Sequence, residues 1–218
     1  TGLTGNNAYQ ITISEEDATT TSDELITINS KTTLGIDLTN VTAFSSSISD
    51  LEIFANAIGE GDFINAEGSV SISLTDSTLS VTALNIAIGT ANSLNGDATS
   101  SVFLISSGAT INGGDESAFR SLLTNEENGQ VLITDQNLIV DGEISIETAN
   151  DLDATTEGIV TANIDINATV DSLATLEGTG NAYTIKIADS DATGSTAKQL
   201  LAIDNATTVT VDASAITS

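Results

Sequence analysis

Two stretches far apart in the chain decide its reading: Gly5-Asn6-Asn7-Ala8-Tyr9-Gln10-Ile11-Thr12-Ile13-Ser14-Glu15-Glu16-Asp17-Ala18-Thr19, and Gly180-Asn181-Ala182-Tyr183-Thr184-Ile185-Lys186-Ile187-Ala188-Asp189-Ser190-Asp191-Ala192-Thr193. The only two tyrosines of the 218 residues stand in the same slot. After a one-residue shift, Leu25, Ile28, Asn29, Thr32, Thr33, Ile36, Asp37, Val41 and Thr42 fall on Leu200, Ile203, Asp204, Thr207, Thr208, Val211, Asp212, Ile216 and Thr217. About 38 residues correspond in two gapped blocks. Self-similarity on this scale marks units that bury their apolar edges on one another.

Each clear unit reads alike. Tyr183, Ile185 and Ile187 alternate with Thr184, Lys186 and Ala188, as in a half-buried strand. Ser195 to Ile203 offers one or two helical turns after a Ser/Thr cap, and Thr207 to Ala213 alternates again as a second strand. Asp50 to Ala55 is a further short helix, with Ser47 or Ser49 as its cap. A weaker echo links Glu67–Thr90 with Glu157–Thr179, and Ser101–Asp141 looks like a degenerate version. The expected organisation is a first repeat unit over 1–58, diverged central repeats over 59–150, and a last unit over 151–218 that is similar to the first. The expected fold is mainly β: a repetitive, β-solenoid-like stack of short strands with short interleaved helices. Tandem β-sandwich domains are the alternative, disfavoured by the absence of proline, and an α/β arrangement comes third.

Composition removes much chemistry. The chain weighs 22.2 kDa and carries 4 Lys and Arg against 31 Asp and Glu, a net charge of −27, with no His, Cys, Met, Trp or Pro. Without Cys or His there is no disulfide, thiol nucleophile, imidazole base or usual zinc site. Four cations give no basic footprint for nucleic acid or an anionic membrane. Hydrophobic residues make up 39% and mean hydropathy is +0.14, too apolar for a disordered acidic polymer, while aromatics at 3% imply an aliphatic core. No apolar run approaches the roughly 20 residues of a membrane span. Thr1-Gly2-Leu3-Thr4-Gly5 lacks the basic start and apolar stretch of a signal peptide. The expectation is a processed chain, a segment of something longer, or export without an N-terminal signal. A pI near 4.1 suits high salt or millimolar divalent cations, so the expected location is extracellular or at a cell surface.

The order Gly-Asn-Ala-Tyr-Thr-Ile, then Leu200-Leu201-Ala202-Ile203-Asp204, then Thr207-Thr208-Val209-Thr210-Val211-Asp212-Ala213-Ser214-Ala215-Ile216-Thr217, resembles the repeat region of very large bacterial, notably cyanobacterial, RTX-like cell-surface and secreted proteins. In that family a Gly-Thr-Ala-Ala-Asp-like helix follows the unit, and Ser46-Ser47-Ile48-Ser49-Asp50-Leu51 resembles it. The likeness covers the first and last 40 or so residues. It implies an extracellular location on the bacterial cell surface and a structural role in a surface layer, extracellular fibre or adhesin stalk. The calcium nonapeptide of RTX proteins has only a partial counterpart, Asn112-Gly113-Gly114-Asp115.

Asp189 and Asp191, echoed by Glu15 and Asp17, place acidic pairs after the first strand of each terminal repeat and are the candidate ligands for calcium or magnesium, with solvated loop acids as the plainer reading. Asp151-Leu152-Asp153 is a third such pair. No organic cofactor is expected. No catalytic residue is assigned: hydroxyls lack a base, chance alone yields many carboxylate pairs, and Arg120 is the sole guanidinium. Arg120 and the lysines read as salt-bridge partners. The chain is therefore read as a non-enzymatic structural protein that forms a homo-oligomer or polymer, such as a surface layer or filament. An adhesin segment binding a glycan or host surface is the alternative, and neither nucleic-acid partners nor membrane insertion are expected.

Overall fold

The computed structural model describes residues 7–14, 19–64, 70–94, 101–188 and 195–216. In chain order the elements are β1 (Thr19–Thr21), α1 (Ser22–Asn29), β2 (Ile36–Asp37), β3 (Ala43–Ser46), α2 (Ile48–Gly59), β4 (Phe63–Ile64), β5 (Ser71–Leu74), β6 (Thr78–Ser80) and α3 (Val81–Leu94). They continue with β7 (Val102–Ile105), β8 (Thr110–Asn112), α4 (Glu116–Glu127), β9 (Val131–Leu132), β10 (Asn137–Ile144), α5 (Ile146–Thr155), β11 (Val160–Ile164), α6 (Val170–Leu173), β12 (Ala182–Thr184) and α7 (Ala197–Asn205). Two compact units result. One comprises Thr1–Asp76, Ala83–Ser106 and Asn125–Leu132, the other Ser77–Thr82, Ser107–Thr124 and Ile133–Ser218.

In the first unit five parallel strands run in the order β1-β3-β5-β7-β9, beside a two-stranded β2-β4 pair. Register stacks like on like: Phe44 lies opposite Ile72, Ile72 opposite Phe103, and Phe103 opposite Val131. All four are buried. Alternation by two along a strand makes this column the core face. Removing each such side chain from water is worth roughly 1.5–3 kcal/mol. In the second unit the order is β12-β11-β10-β8-β6, and the matching column is Leu79, Ile111, Leu138 and Val160, also buried. Parallel neighbours need crossovers of a dozen or more residues. Here every crossover contains a helix, most also carry a strand of another sheet, and the strand order within each sheet follows the chain without reversal.

This corrects the mainly β expectation, for the solenoid-like stack and the sandwich alike. The protein is mixed α/β, with parallel sheets and interleaved helices, and helix exceeds strand at 35% against 26% among the described residues. The arrangement is Rossmann-like in joining parallel strands through helices. The physical reason lies in the central segments. Val81, Leu84, Ala87 and Ile88 are buried along α3, the 3.6-residue period of a helix, although Val81, Thr82, Ile86 and Ile88 are β-branched residues that also favour strands. Phe119 and Leu122 on α4 and Ala149 and Leu152 on α5 follow the same helical period. Helices α1, α2, α5, α6 and α7 begin at Ser or Thr caps, Thr21, Ser47, Ser145, Thr169 and Thr196, each accepting the backbone N–H three residues on. Thr21 with Glu24 and Thr196 with Gln199 form full capping boxes. The expected helix at 50–55 thus extends over Ile48–Gly59 behind Ser47. Gly113 and Gly129 take φ of +71° in their Asn-Gly turns, where a β-carbon would be strained. Among the described residues no helix is long and apolar enough to cross a membrane.

Candidate functional site

The shared sequence of the two terminal repeats folds into one hydrogen-bonded frame, built twice. In the first unit the Asp37 N–H donates to the Ile11 carbonyl at 2.9 Å, and the Ile13 N–H donates to the Asp37 carbonyl at 3.0 Å. In the second, the Asp212 N–H donates to Ile185 at 3.0 Å, and the Ile187 N–H to Asp212 at 2.9 Å. Thr12 accordingly bridges Asp37 as Lys186 bridges Asp212. The Thr32 hydroxyl donates to the Tyr9 carbonyl at 2.7 Å, and the Thr207 hydroxyl donates to the Tyr183 carbonyl at the same distance. Each threonine oxygen then accepts the N–H two residues on, Leu34 or Val209. Each aspartate caps its own turn, Asp37 accepting from Thr39 N–H and Asp212 from Ser214 N–H. Bonds from Ser214, with help from Lys186, hold the Asp212 carboxyl below the usual range.

The two copies differ in what covers them. Tyr183 is fully buried, opposite Ala162 of β11, with its hydroxyl donating to the Ala149 carbonyl in α5 at 3.1 Å. Burial, then the Asp153 charge, push its phenol upward. Tyr9 is 39% exposed, and among the described residues no strand flanks the outer side of residues 7–13. The opposite difference holds at the other side of the frame. The Ile36 N–H donates to Asp62 and the Leu38 N–H to Ile64, both at 2.9 Å, so the first repeat is continued by β4. Among the described residues, no following strand reaches their counterparts Val211 and Ala213. Two strand edges with complementary backbone polarity are the clearest functional geometry here, because a parallel ladder is extended by any strand of matching register.

The acidic candidates Glu15, Asp17, Asp189 and Asp191 lie outside the described residues. Asp115, in the partial nonapeptide, caps α4 by accepting the Ala118 N–H at 3.1 Å. Asp153 accepts the Asn181 amide at 2.6 Å. Among the described residues no three metal-ligating side chains gather into a group. Arg120 joins Glu147 at 3.3 Å and Glu116 at 3.8 Å. Glu116 also accepts from the Ser145 N–H and hydroxyl and from Thr148. Burial alone would raise its pKa, yet those bonds and Arg120 outweigh it and hold the carboxyl below its ordinary value. The group ties the first turn of α4 to the cap of α5.

The first unit also holds an apolar cavity of about 250 Å³ lined by Leu38, Phe44, Leu51, Phe54, Ile72 and Ile86, with Glu52, Asn56, Thr90 and Ser101 as polar members. Three of the five phenylalanines cluster beside it, Phe54 standing 5.1 Å from Phe44 and 4.8 Å from Phe63 between ring centroids. Sequence reading missed both this cavity and the Thr32 and Thr207 hydroxyl bonds. Those threonines read as plain β-branched strand residues, and only the tyrosine carbonyl brought beside them reveals a polar role. No family model, curated protein or solved structure matches the chain.

Proposed function

We propose that this chain is a non-enzymatic structural protein of the bacterial cell exterior, related to the repeat regions of large RTX-like surface proteins, whose copies assemble into a filament or surface layer. One observation carries the reading. The chain builds the same frame twice among the described residues, at 7–14 with 19–41 and at 181–188 with 195–216, each presenting a strand edge that the interior of the molecule covers with another strand. An assembly module needs recurring edges and no catalytic constellation. The charge of −27 opposes association, so salt or calcium is a condition of it. Glu15, Asp17, Asp189 and Asp191 are proposed to take calcium.

Negative-stain microscopy and light scattering of the chain in low salt, in high salt and in calcium test the reading. Ordered fibres or sheets in either of the last two conditions support it. Dispersed monomers throughout refute it and leave the adhesin segment as the better description. Reversal by EDTA only of what calcium induced supports calcium ligation, whereas indifference to EDTA removes it.

A further inference from the structure

We propose that the outer edge of Val209–Ala213 in one copy adds as the next parallel strand to the outer edge of Tyr9–Ile13 in a second copy of this chain, with Val211 opposite Ile11. The inference rests on the assembly reading and names its junction.

Backbone polarity fixes the candidates. In a parallel ladder successive residues point their N–H and C=O to alternate sides. Because Ile11 and Ile13 bond inward to Asp37, the groups of Gln10 and Thr12 point outward. Because Asp212 bonds inward to Ile185 and Ile187, those of Val211 and Ala213 point outward. The interior junction has the Ile36 and Leu38 amides donating to two carbonyls two residues apart, Asp62 and Ile64. Val211 and Ala213 occupy the same places and meet the same spacing in the carbonyls of Gln10 and Thr12.

Side chains select the register. Within each repeat, the Thr12–Asp37 and Lys186–Asp212 bridges set Tyr9 beside Leu34 and Tyr183 beside Val209, and Ile11 beside Ile36 and Ile185 beside Val211. Placing Val211 on Ile11 continues both columns through the junction, so that Val209, 37% exposed, covers Tyr9, 39% exposed. It also sets uncharged Thr12 between Asp212 and Asp37, keeping the two carboxylates two strands apart.

The helices supply charge complementarity. In the second unit Asp171, second residue of α6, accepts from Gln199, third residue of α7, at 2.5 Å. Residues two apart on a helix are turned by about 200°. Leu201 therefore faces away from α6, and it is 60% exposed. Its counterpart Ile26 is only half-buried on α1, which packs against α2. At the proposed junction α7 takes the place of α6, and α1 the place of α7. The second residue of α7 is Lys198 and the third of α1 is Glu24, so the polar pair of the interior becomes an ion pair. One of the four cations of the chain thus stands where an acid waits for it.

A charge exchange tests this at the lowest salt or calcium concentration in which the wild type assembles, where the pair is least screened. Lys198→Glu and Glu24→Lys each set like charges at every junction. Each is expected to lower assembly at least about tenfold, and their equimolar mixture to restore it to within roughly twofold, because every junction in an alternating polymer is then of opposite sign. A second measurement does not depend on Glu24, which also serves its own cap. The chain has no cysteine, and adjacent strands lie about 4.8 Å apart, within disulfide reach. Thr210→Cys mixed with Gln10→Cys should cross-link on oxidation, while Thr208→Cys with Gln10→Cys, two residues out of register, should not. Wild-type assembly with neither rescue nor the in-register cross-link overturns this junction and leaves the assembly reading standing. A wild type that never assembles overturns both.

Discussion

Tyr9 and Tyr183 occupy one slot of one repeated frame, so replacing each by phenylalanine isolates what the surroundings contribute. The Tyr183 hydroxyl is buried and donates to the Ala149 carbonyl at 3.1 Å, whereas the Tyr9 hydroxyl makes no hydrogen bond among the described residues and the residue is 39% exposed. A net intramolecular hydrogen bond is worth about 0.5–1.5 kcal/mol. Tyr183→Phe should therefore destabilise by about 1 kcal/mol and Tyr9→Phe by about zero. Truncation widens the gap. Tyr183→Ala opens a cavity against β11 and α5 and should cost about 3–5 kcal/mol. Tyr9→Ala leaves no enclosed void and should cost about 2 kcal/mol from its partly buried ring alone. Urea unfolding followed by far-ultraviolet circular dichroism reads these differences. Tyrosine emission is a second probe, since the chain has no tryptophan and each phenylalanine variant keeps a single tyrosine, in one unit or the other. Equal losses for the two phenylalanine variants would refute the claim that the frames differ only in what lies outside them.

Glu116→Gln should cost about 1.5–3 kcal/mol at neutral pH, the range for hydrogen bonds to a charged group, since Ser145, Thr148 and Arg120 all turn to this carboxylate. Its folded pKa lies below the ordinary 4.5, so the stabilisation is present above 4.5 and disappears as pH falls through the folded value. The difference between wild type and variant should shrink on acidification, and a gap that widened below pH 4.5 would reverse the assigned sign. Gly158→Ala should be among the costliest single changes, roughly 3 kcal/mol or more, because a β-carbon there would lie 2.3 Å from the Gln136 carbonyl oxygen and 2.6 Å from its carbon. Thermal melting that left the variant unchanged would show that the backbone yields there.

The terminal frames were legible because their cues are local. Alternation in Ala182–Ala188 marks the stretch that forms β12 and the Lys186 bridge, and the helical turns expected over Ser195–Ile203 after a Ser/Thr cap form as Ala197–Asn205 with Thr196 as the cap. A short helical piece within Ser101–Asp141 is legible and corresponds to α4, but α3 was not legible, because Val81, Thr82, Ile86 and Ile88 carry strand propensity while burial follows the helical period. Propensity is a weak prior that packing overrides. Nor could sequence pair Phe44 with Ile72 and Phe103, since register is a long-range property set by the crossovers between strands. Which amides and carbonyls face outward follows only from Asp37 and Asp212 bonding inward.

The acidity of the chain and its proposed self-association are reconciled by separating what opposes contact from what specifies it. A charge of −27 spread over the surface acts at long range and non-directionally, and monovalent salt with a Debye length of about 10 Å at 0.1 M removes most of it. The junction argued above depends on backbone amides and carbonyls, the aliphatic columns through Val211 and Ile11, and one Lys198–Glu24 pair, whose geometry salt leaves intact. Sodium chloride at high concentration should then be sufficient for assembly in the same register that calcium permits. Calcium acting at millimolar levels, where its ionic strength screens little, would require direct ligation by acids such as Asp189 and Asp191. The salt species needed, rather than the amount assembled, therefore distinguishes general screening from a built calcium site.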